Sequence, residues 1–440
     1  MAREMKDSGI EWIGEIPRHW DVRPIKNSFS IVSGSTPDSD KAEYWEGDIP
    51  WITPADFKTI DKYTSGGSRF ITEKGYDSCS TNMIPKGSII FSKRAPIGSV
   101  VINKIDLCTN QGCLSCIKND KTDSAYFYYL MSIYDDVFNL FGSGTTFKEI
   151  SATTFGDFIL PLPPLVEQQL VSSFLDSKCA EIDKAIDATK ASIEEYRKLR
   201  QAIITETVTK GLDPDVEMKD SGIEWIGEIP ATWTSMPTKN MFLIGKGLSI
   251  TKDNLEETGV PTISYGQIHA KYNTGTHLDD RMFRYVNESY LQSNKQSLVH
   301  KGCFVFADTS EDLEGCGNCV YADREGEFFA GYHTVTLFPK ECEDNKYFAY
   351  LFRTNEWRRQ IRSVLTEVKV YSVSQKIIRR TSMIIPPASE QKEICSYLDS
   401  KCSEIDSLIK SKEKLIEELT AYRKSLIYEY VTGKKEVPAV

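Results

Sequence analysis

The stretch from Pro163 to Thr209 occurs twice and constrains the chain more than any other feature. Shifted by 223 residues, it lies without a gap on Pro386 to Thr432. Pro163-Pro164, Glu167-Gln168, Leu175-Asp176-Ser177-Lys178-Cys179 and Glu181-Ile182-Asp183 all return at the shifted positions. After its two opening prolines neither copy has a Gly or Pro. Those prolines fall where missing N–H groups cost nothing, and Gly211 and Gly433 stand where a helix C-terminus favours a left-handed residue. Both copies therefore read as one long helix, roughly 65 Å at 1.5 Å per residue. Apolar positions step 4-3-4-3 through Leu175, Cys179, Ile182, Ile186 and Ile193, and through Leu398, Cys402, Ile405, Ile409, Ile416 and Leu419. The step is broken at Thr189/Lys412 and again at Arg200/Arg423. So narrow a seam needs a partner helix, and the other copy is the economical one. The expectation is an antiparallel intramolecular two-helix coiled coil; the alternative is two ordinary amphipathic helices, each packed on its own domain.

A second repeat has a different character. Met5 to Pro17, MKDSGIEWIGEIP, is identical to Met218 to Pro230, and a tryptophan follows three residues later in each case (Trp20, Trp233). Its Gly, Pro and acidic residues predict a loop or turn rather than a strand. Ile10, Trp12, Ile13 and Ile16, with Ile223, Trp225, Ile226 and Ile229, read as an exposed apolar plug for docking. Between the repeats lie two dissimilar segments, Asp21–Leu160 and Thr234–Ile385. Both alternate short apolar runs with turn signals and end in a helical patch, near 124–139 and 347–364. The fold class is α+β: two globular α/β heads separated by the coiled coil, as a pseudo-twofold internal repeat. The division is 1–160 (plug 5–17), helix 161–212, 213–385 (plug 218–230), helix 386–433 and a tail, 434–440.

Composition excludes several classes. There is no 18-residue apolar run and no signal-peptide pattern, so a cytoplasmic protein with no membrane association is expected. Eleven scattered cysteines read as reduced thiols. The net charge of −10 argues against solitary, tight binding to nucleic acid through a large basic surface. No phosphate-loop, methyltransferase or dinucleotide motif is present, and no metal site is expected. Cys113-x-x-Cys116 and Cys316-x-x-Cys319 are the one metal-like spacing, against which small buried core residues are the simpler reading.

With these motifs assembled, the chain resembles the specificity subunit of Type I restriction–modification systems over nearly its whole length. The resemblance rests on Ser8–Pro17 and its repeat, Gly34-Ser35-Thr36-Pro37, Tyr44–Ile52, Thr109-Asn110-Gln111-Gly112, and Leu160–Leu165 with Glu167-Gln168. In the second head it rests on Ile263–Ile268, Phe306–Asp312 and Ala330-Gly331-Tyr332-His333. The first head ends in Gly142-Ser143-Gly144-Thr145, but the second has Leu365-Thr366-Glu367-Val368 there, so that loop's role does not carry across. The resemblance implies a non-catalytic subunit whose two heads are target recognition domains, reading an asymmetric bipartite site in double-stranded DNA. It implies two adenine-N6 methyltransferase subunits and endonuclease/translocase subunits as partners. S-adenosylmethionine, ATP and Mg²⁺ chemistry would belong to them, with no cofactor in this chain. A single-chain restriction or modification enzyme and a protein-interaction scaffold remain as alternatives.

DNA contacts are expected from polar and basic loop residues. In the first head these are Lys93, Arg94, Asn110, Gln111, Thr145, Thr146 and Lys148. In the second, residues 345–385 hold nine Lys/Arg against two Glu. There the candidates are Lys369, Tyr371, Ser372, Gln375, Lys376, Arg379 and Arg380. Arg353, Arg358, Arg359 and Arg362 read equally well as a solvated helix face.

Overall fold

A computed structural model describes residues 3–59, 61–142, 148–341, 344–366 and 369–438. The chain divides into two compact units, residues 1–190 with 413–440, and residues 191–412. Each unit thus takes one part of each long helix, Leu165–Lys210 and Ala388–Val431.

In the first unit, strands Phe29–Ser33, Cys113–Lys118, Ile89–Ser92, Val100–Asn103 and Tyr63–Thr64 form a five-stranded sheet in that order. All its pairings are antiparallel except the last. Because side chains alternate across a strand, one face packs Phe91, Leu114 and Cys116 on the long helices, while Ile90, Val101 and Cys113 face a second small core. Cys113 and Cys116 therefore point to opposite faces and cannot share an ion. Cys316 and Cys319 are both buried in one core, and burial pushes the Cys319 thiol up to about 12. Asp21–Pro24 pairs with Ile159–Leu162 and closes the head at its base.

The second unit repeats this plan with other sequences. An antiparallel sheet runs Phe242–Lys246, Thr334–Pro339, Phe304–Ala307, Cys319–Tyr321. A smaller sheet lies around Val260–Ile263, and Thr234–Pro237 pairs with Ser382–Ile385. The helical patches are each broken in two: Ser124–Ser132 and Asp135–Phe141 in the first unit, Lys346–Leu351 and Asn355–Arg362 in the second. The second break is capped, because the Thr354 hydroxyl accepts from Trp357 N–H and so starts a new helix.

The repeated residues of the long helices are the sites where the heads are fastened. Trp20 Nε1 donates to Glu167 at 3.0 Å, and Trp233 Nε1 to Glu390 at 2.9 Å. Tyr129 OH donates to Asp176 and Tyr350 OH to Asp399, both at 2.6 Å. Lys62 pairs with the first of these carboxylates and Lys346 with the second. Gln168 donates to Pro163 O at 2.8 Å and Gln391 to Pro386 O at 2.9 Å, which ties each helix start to the prolines before it. At the helix ends Tyr126 OH donates to Val431 O and Tyr347 OH to Val208 O.

Within each unit the two long helices meet through the seam. Leu175, Cys179, Ile182 and Ile186 are buried with Leu426, Ile427 and Tyr430, and Ile416 and Leu419 pack against that cluster. In the second unit Leu398 and Cys402 are buried with Ile204 and Val208. Ile193 and Ile405 are buried and Ile409 is half-buried. One set of interruptions is filled by matched cross-helix ion pairs. Arg423 Nε lies 3.0 Å from Asp183, and Arg200 Nε 3.1 Å from Asp406. Neither Nε–H is aligned for a hydrogen bond, and both carboxylates are half exposed, so these are Coulombic contacts worth ~1 kcal/mol at most. At the other interruption Lys412 Nζ stands over the Tyr196 ring.

The thirteen-residue repeat is not a loop. Met5–Asp7 pairs with Glu15–Pro17, and Met218–Asp220 with Glu228–Pro230, as short antiparallel hairpins. Gly9 and Gly14 at φ +70° and +69° turn the chain between the strands, so the turn signals in the composition belong to the bends of a hairpin. Nor is it a free plug. Ile10, Ile13, Ile16 and Trp20 are buried in the first unit's core, and Ile223, Ile229 and Trp233 in the second's. Each hairpin covers a long-helix C-terminus. A Cβ on Gly433 would strike Pro17, and one on Gly211 would meet Glu390 and Trp233, so glycine serves both φ and space there.

Candidate nucleic-acid interface

In the first head the motifs Gly34–Pro37, Trp45–Ile52 and Thr109–Gly112 converge. Ser35 N–H donates to Thr109 O at 3.0 Å, Trp51 Nε1 to Ser35 O at 3.1 Å, and Asn110 N–H to Ile52 O at 3.0 Å. Gly34 lies against Thr109 so closely that no side chain fits. The Thr36 hydroxyl donates to Gln111, whose side chain is otherwise exposed. The Asn110 carbonyl is engaged locally, because its Oδ1 accepts from Gly112 N–H at 2.9 Å.

Lys93 and Arg94 are not free cations. Both pair with Glu149, at 2.7 and 2.6 Å, and Lys93 is largely buried. Burial raises the Glu149 carboxyl, but Lys93 and Arg94 outweigh it and hold the group below its ordinary range. Lys148 beside them is exposed; Thr145 and Thr146 lie outside the described residues. Sequence reasoning passed over Arg69, whose guanidinium stacks 3.5 Å from the Trp45 ring centroid while remaining exposed.

In the second head Tyr371–Ser372 pairs with Thr309–Ser310, which brings these candidates beside the Phe306–Asp312 motif. Val373 N–H donates to Asp308 O at 2.7 Å, and Asp308 N–H to His333 O at 3.1 Å. Ser374 caps the short helix Gln375–Arg380. From that helix Gln375 donates to Gly245 O at 3.0 Å, so its side chain ties the helix to the sheet. Arg379 reaches Ile244 O at the limit of a hydrogen bond, 3.5 Å. Lys369, Lys376 and Arg380 are exposed.

Next to this strip is a cavity of about 550 Å³ bordered by Tyr265, His269, Ser310, Glu311 and Asp312. His269 is fixed by Thr309 O at 2.8 Å and by Asn318 at 3.1 Å. Tyr265, Tyr332 and His333 form an edge-on aromatic trio. His333 adopts φ +54°, a left-handed conformation uncommon outside glycine. The motifs holding the trio stood in the sequence, but nothing there marked their convergence. The cavity's carboxylates suit base-edge amino donors rather than phosphate.

The arginine-rich helix is not a solvated face. Arg358 is buried, Arg353 and Arg362 are partly covered, and only Arg359 is exposed. Among the described residues no group of His, Cys, Asp and Glu is arranged to hold a metal, and no helix is long and apolar enough to cross a membrane.

The model of the Type I restriction modification DNA specificity domain matches residues 17–195 and 230–421. The chain is 28% identical over 434 residues to the Type I restriction enzyme MjaIX specificity subunit of Methanocaldococcus jannaschii, covering 97% of this chain and 95% of that relative. It is 20% identical over 447 residues to the EcoKI specificity subunit of Escherichia coli K12, covering 96% and 90%. Among solved structures, a chain from work on complex assembly and conformational transition of the type I R-M system superposes with a TM-score of 0.70 at 14% identity, covering 96% of this chain and 99% of that one. The HsdS subunit from Thermoanaerobacter tengcongensis gives 0.51 at 14% identity, over 96% and 98%. At such identities the structural likeness speaks for the fold.

Proposed function

The chain belongs to the Type I restriction modification DNA specificity family, and from that premise we propose that it is a non-catalytic reader of an asymmetric, two-part DNA site. The observation that carries this reading is the contrast between fastening and heads. Matched Trp–Glu, Tyr–Asp and Gln–Pro contacts secure each head to the long helices, while the loops above them differ in sequence and charge. Each head reads one half-site. The first uses the converged Gly34–Pro37 and Thr109–Gly112 loops with Lys148. The second uses the strip Lys369–Ser372 with Lys376, Arg379 and Arg380. Lys93, Arg94, Asn110 and Gln375 act in this reading by holding those loops rather than by reaching bases.

The partners are two methyltransferase subunits and, in the full complex, endonuclease/translocase subunits. S-adenosylmethionine, ATP and Mg²⁺ act on those partners, in the cytoplasm. In this reading those partners supply phosphate contacts and enclose the duplex, which answers the acidic balance of this chain.

The test is a genome-wide map of N6-methyladenine in cells expressing the chain with its methyltransferase partner. A two-part motif with a fixed unspecified gap, lost when this chain is deleted, supports the reading. A motif indifferent to this chain defeats it. Replacing residues 21–160 with another head should change one half-site and leave the other. Lengthening both long helices equally should change the gap alone.

A further inference from the structure

The cavity beneath the helix Asn355–Arg362 has a composition that the DNA-reading strip does not account for. About 390 Å³ in volume, it is bordered by Arg353, Arg358, Arg359 and Arg362, and among the described residues Glu314 is the one carboxylate on its lining. Arg358 is only 8% exposed, and its Nε donates to Phe352 O at 2.8 Å. Arg362 donates to Glu314 O at 2.6 Å and to Asn355 Oδ1 at 3.2 Å, while its Nε is buried without a partner. Arg353 reaches Asn273 O at 3.4 Å, and its Nε is likewise buried and unpartnered.

Among the described residues none of the four makes an ion pair with a carboxylate, while Arg200, near enough to act on the Arg353 charge, is matched with Asp406. Burial first, and Arg353 second, lower the Arg358 guanidinium to about 9, so it is still charged at neutral pH. A buried cation without a counter-charge is expensive, and buried charges are ordinarily paired.

The scaffold does not demand these arginines. The corresponding helix of the first unit, Asp135–Phe141, carries Asp135 and Asp136 in its first turn and no basic residue. A single peptide carboxylate would bring one charge to four guanidiniums. A phosphoryl group brings up to two charges and several acceptor oxygens, which is the geometry guanidinium forks suit.

We propose that this cavity is an oxyanion site that takes a phosphoryl group. Two sources share that chemistry, a DNA backbone phosphate and free inorganic phosphate. Only the first rests on the DNA-reading function.

The full chain is titrated with inorganic phosphate against chloride at matched ionic strength, and its Tm is followed. Phosphate should raise the Tm beyond the chloride control. Arg362→Gln, at the partly covered edge, should abolish that extra shift, and Arg359→Gln should reduce it. Arg358→Met risks misfolding and is not needed. A phosphate shift no larger than chloride's, or one intact in Arg362→Gln, overturns the proposal. No DNA is present, so this outcome is separate from any failure of the DNA-reading function.

The source is then read from the chain bound to its methyltransferase partner. If the ligand is a backbone phosphate, Arg362→Gln weakens all duplexes alike and lowers the slope of log K against log salt by about 1. If DNA binding is unchanged while the phosphate shift is lost, free phosphate is the ligand.

Discussion

The same thirteen residues, MKDSGIEWIGEIP, sit in two different neighbourhoods. In the first unit Trp12 stacks on Phe158 at 5.2 Å and meets Phe141 edge-on at 6.1 Å. In the second the identical Trp225 faces the Arg359 guanidinium at 5.9 Å. Beneath both, the hairpin, the buried isoleucines and the Trp–Glu bond to the long helix are the same. Identity of sequence therefore follows the contact with the helix, and divergence begins where the hairpin meets the head. The scaffold contacts can be duplicated because each helix end offers the same glycine, carboxylate and carbonyl. The head helices cannot, because one contributes to an aromatic cluster and the other to a basic cavity.

The largest test of the equivalence is deletion of the buried indoles. Trp20→Ala and Trp233→Ala should each cost about 3–5 kcal/mol in denaturant unfolding. Clearly unequal costs would break the comparison at its base. Next are the tyrosine clamps: Tyr129→Phe and Tyr350→Phe should each cost about 1–2 kcal/mol, since each strips a hydrogen bond from a helix carboxylate.

The point of divergence is sharpened by Trp12→Ala against Trp225→Ala. The first forfeits two aromatic contacts of about 0.5–1.5 kcal/mol each, the second one exposed cation–π contact of about 0.5–1 kcal/mol. The first variant should be the less stable, and equal losses would mean that the neighbourhoods matter less than the shared hairpin.

The smallest effects belong to charge. Arg200→Met and Arg423→Met should each change stability by less than about 1 kcal/mol, alike and less so at high salt. Glu167 gives a pH signature. Burial raises its carboxyl, but Trp20, His19 and Arg3 outweigh it and hold the group below its usual 4.5. Its contribution is full above that value and fades as pH falls through the lowered one. Glu167→Gln should flatten that part of the acid-unfolding profile without altering stability slopes near neutrality.

The sequence determined the long helices, their seams and their ends, because a heptad step and a terminal glycine are local signals. It also determined that the heads differ while their attachment is shared, since a repeat can be read without coordinates. Its residues carried the family in scattered motifs, Gly34–Pro37 and Thr109–Gly112 among them. Tertiary structure decided how side chains were spent. Glu149 claims Lys93 and Arg94, Gly112 claims Asn110, and Gly245 claims Gln375, and none of these partners is near in sequence except Gly112. The repeat's isoleucines went inward for the same reason, since an apolar turn looks alike whether a partner or its own core covers it. For Arg358 beside Trp357 on a short helix the sequence left a solvated face and a DNA contact equally open; packing, with its Nε donating to Phe352 O, made it a buried charge instead. Periodicity is a property of the chain, whereas burial and pairing belong to whatever distant residues the fold brings alongside.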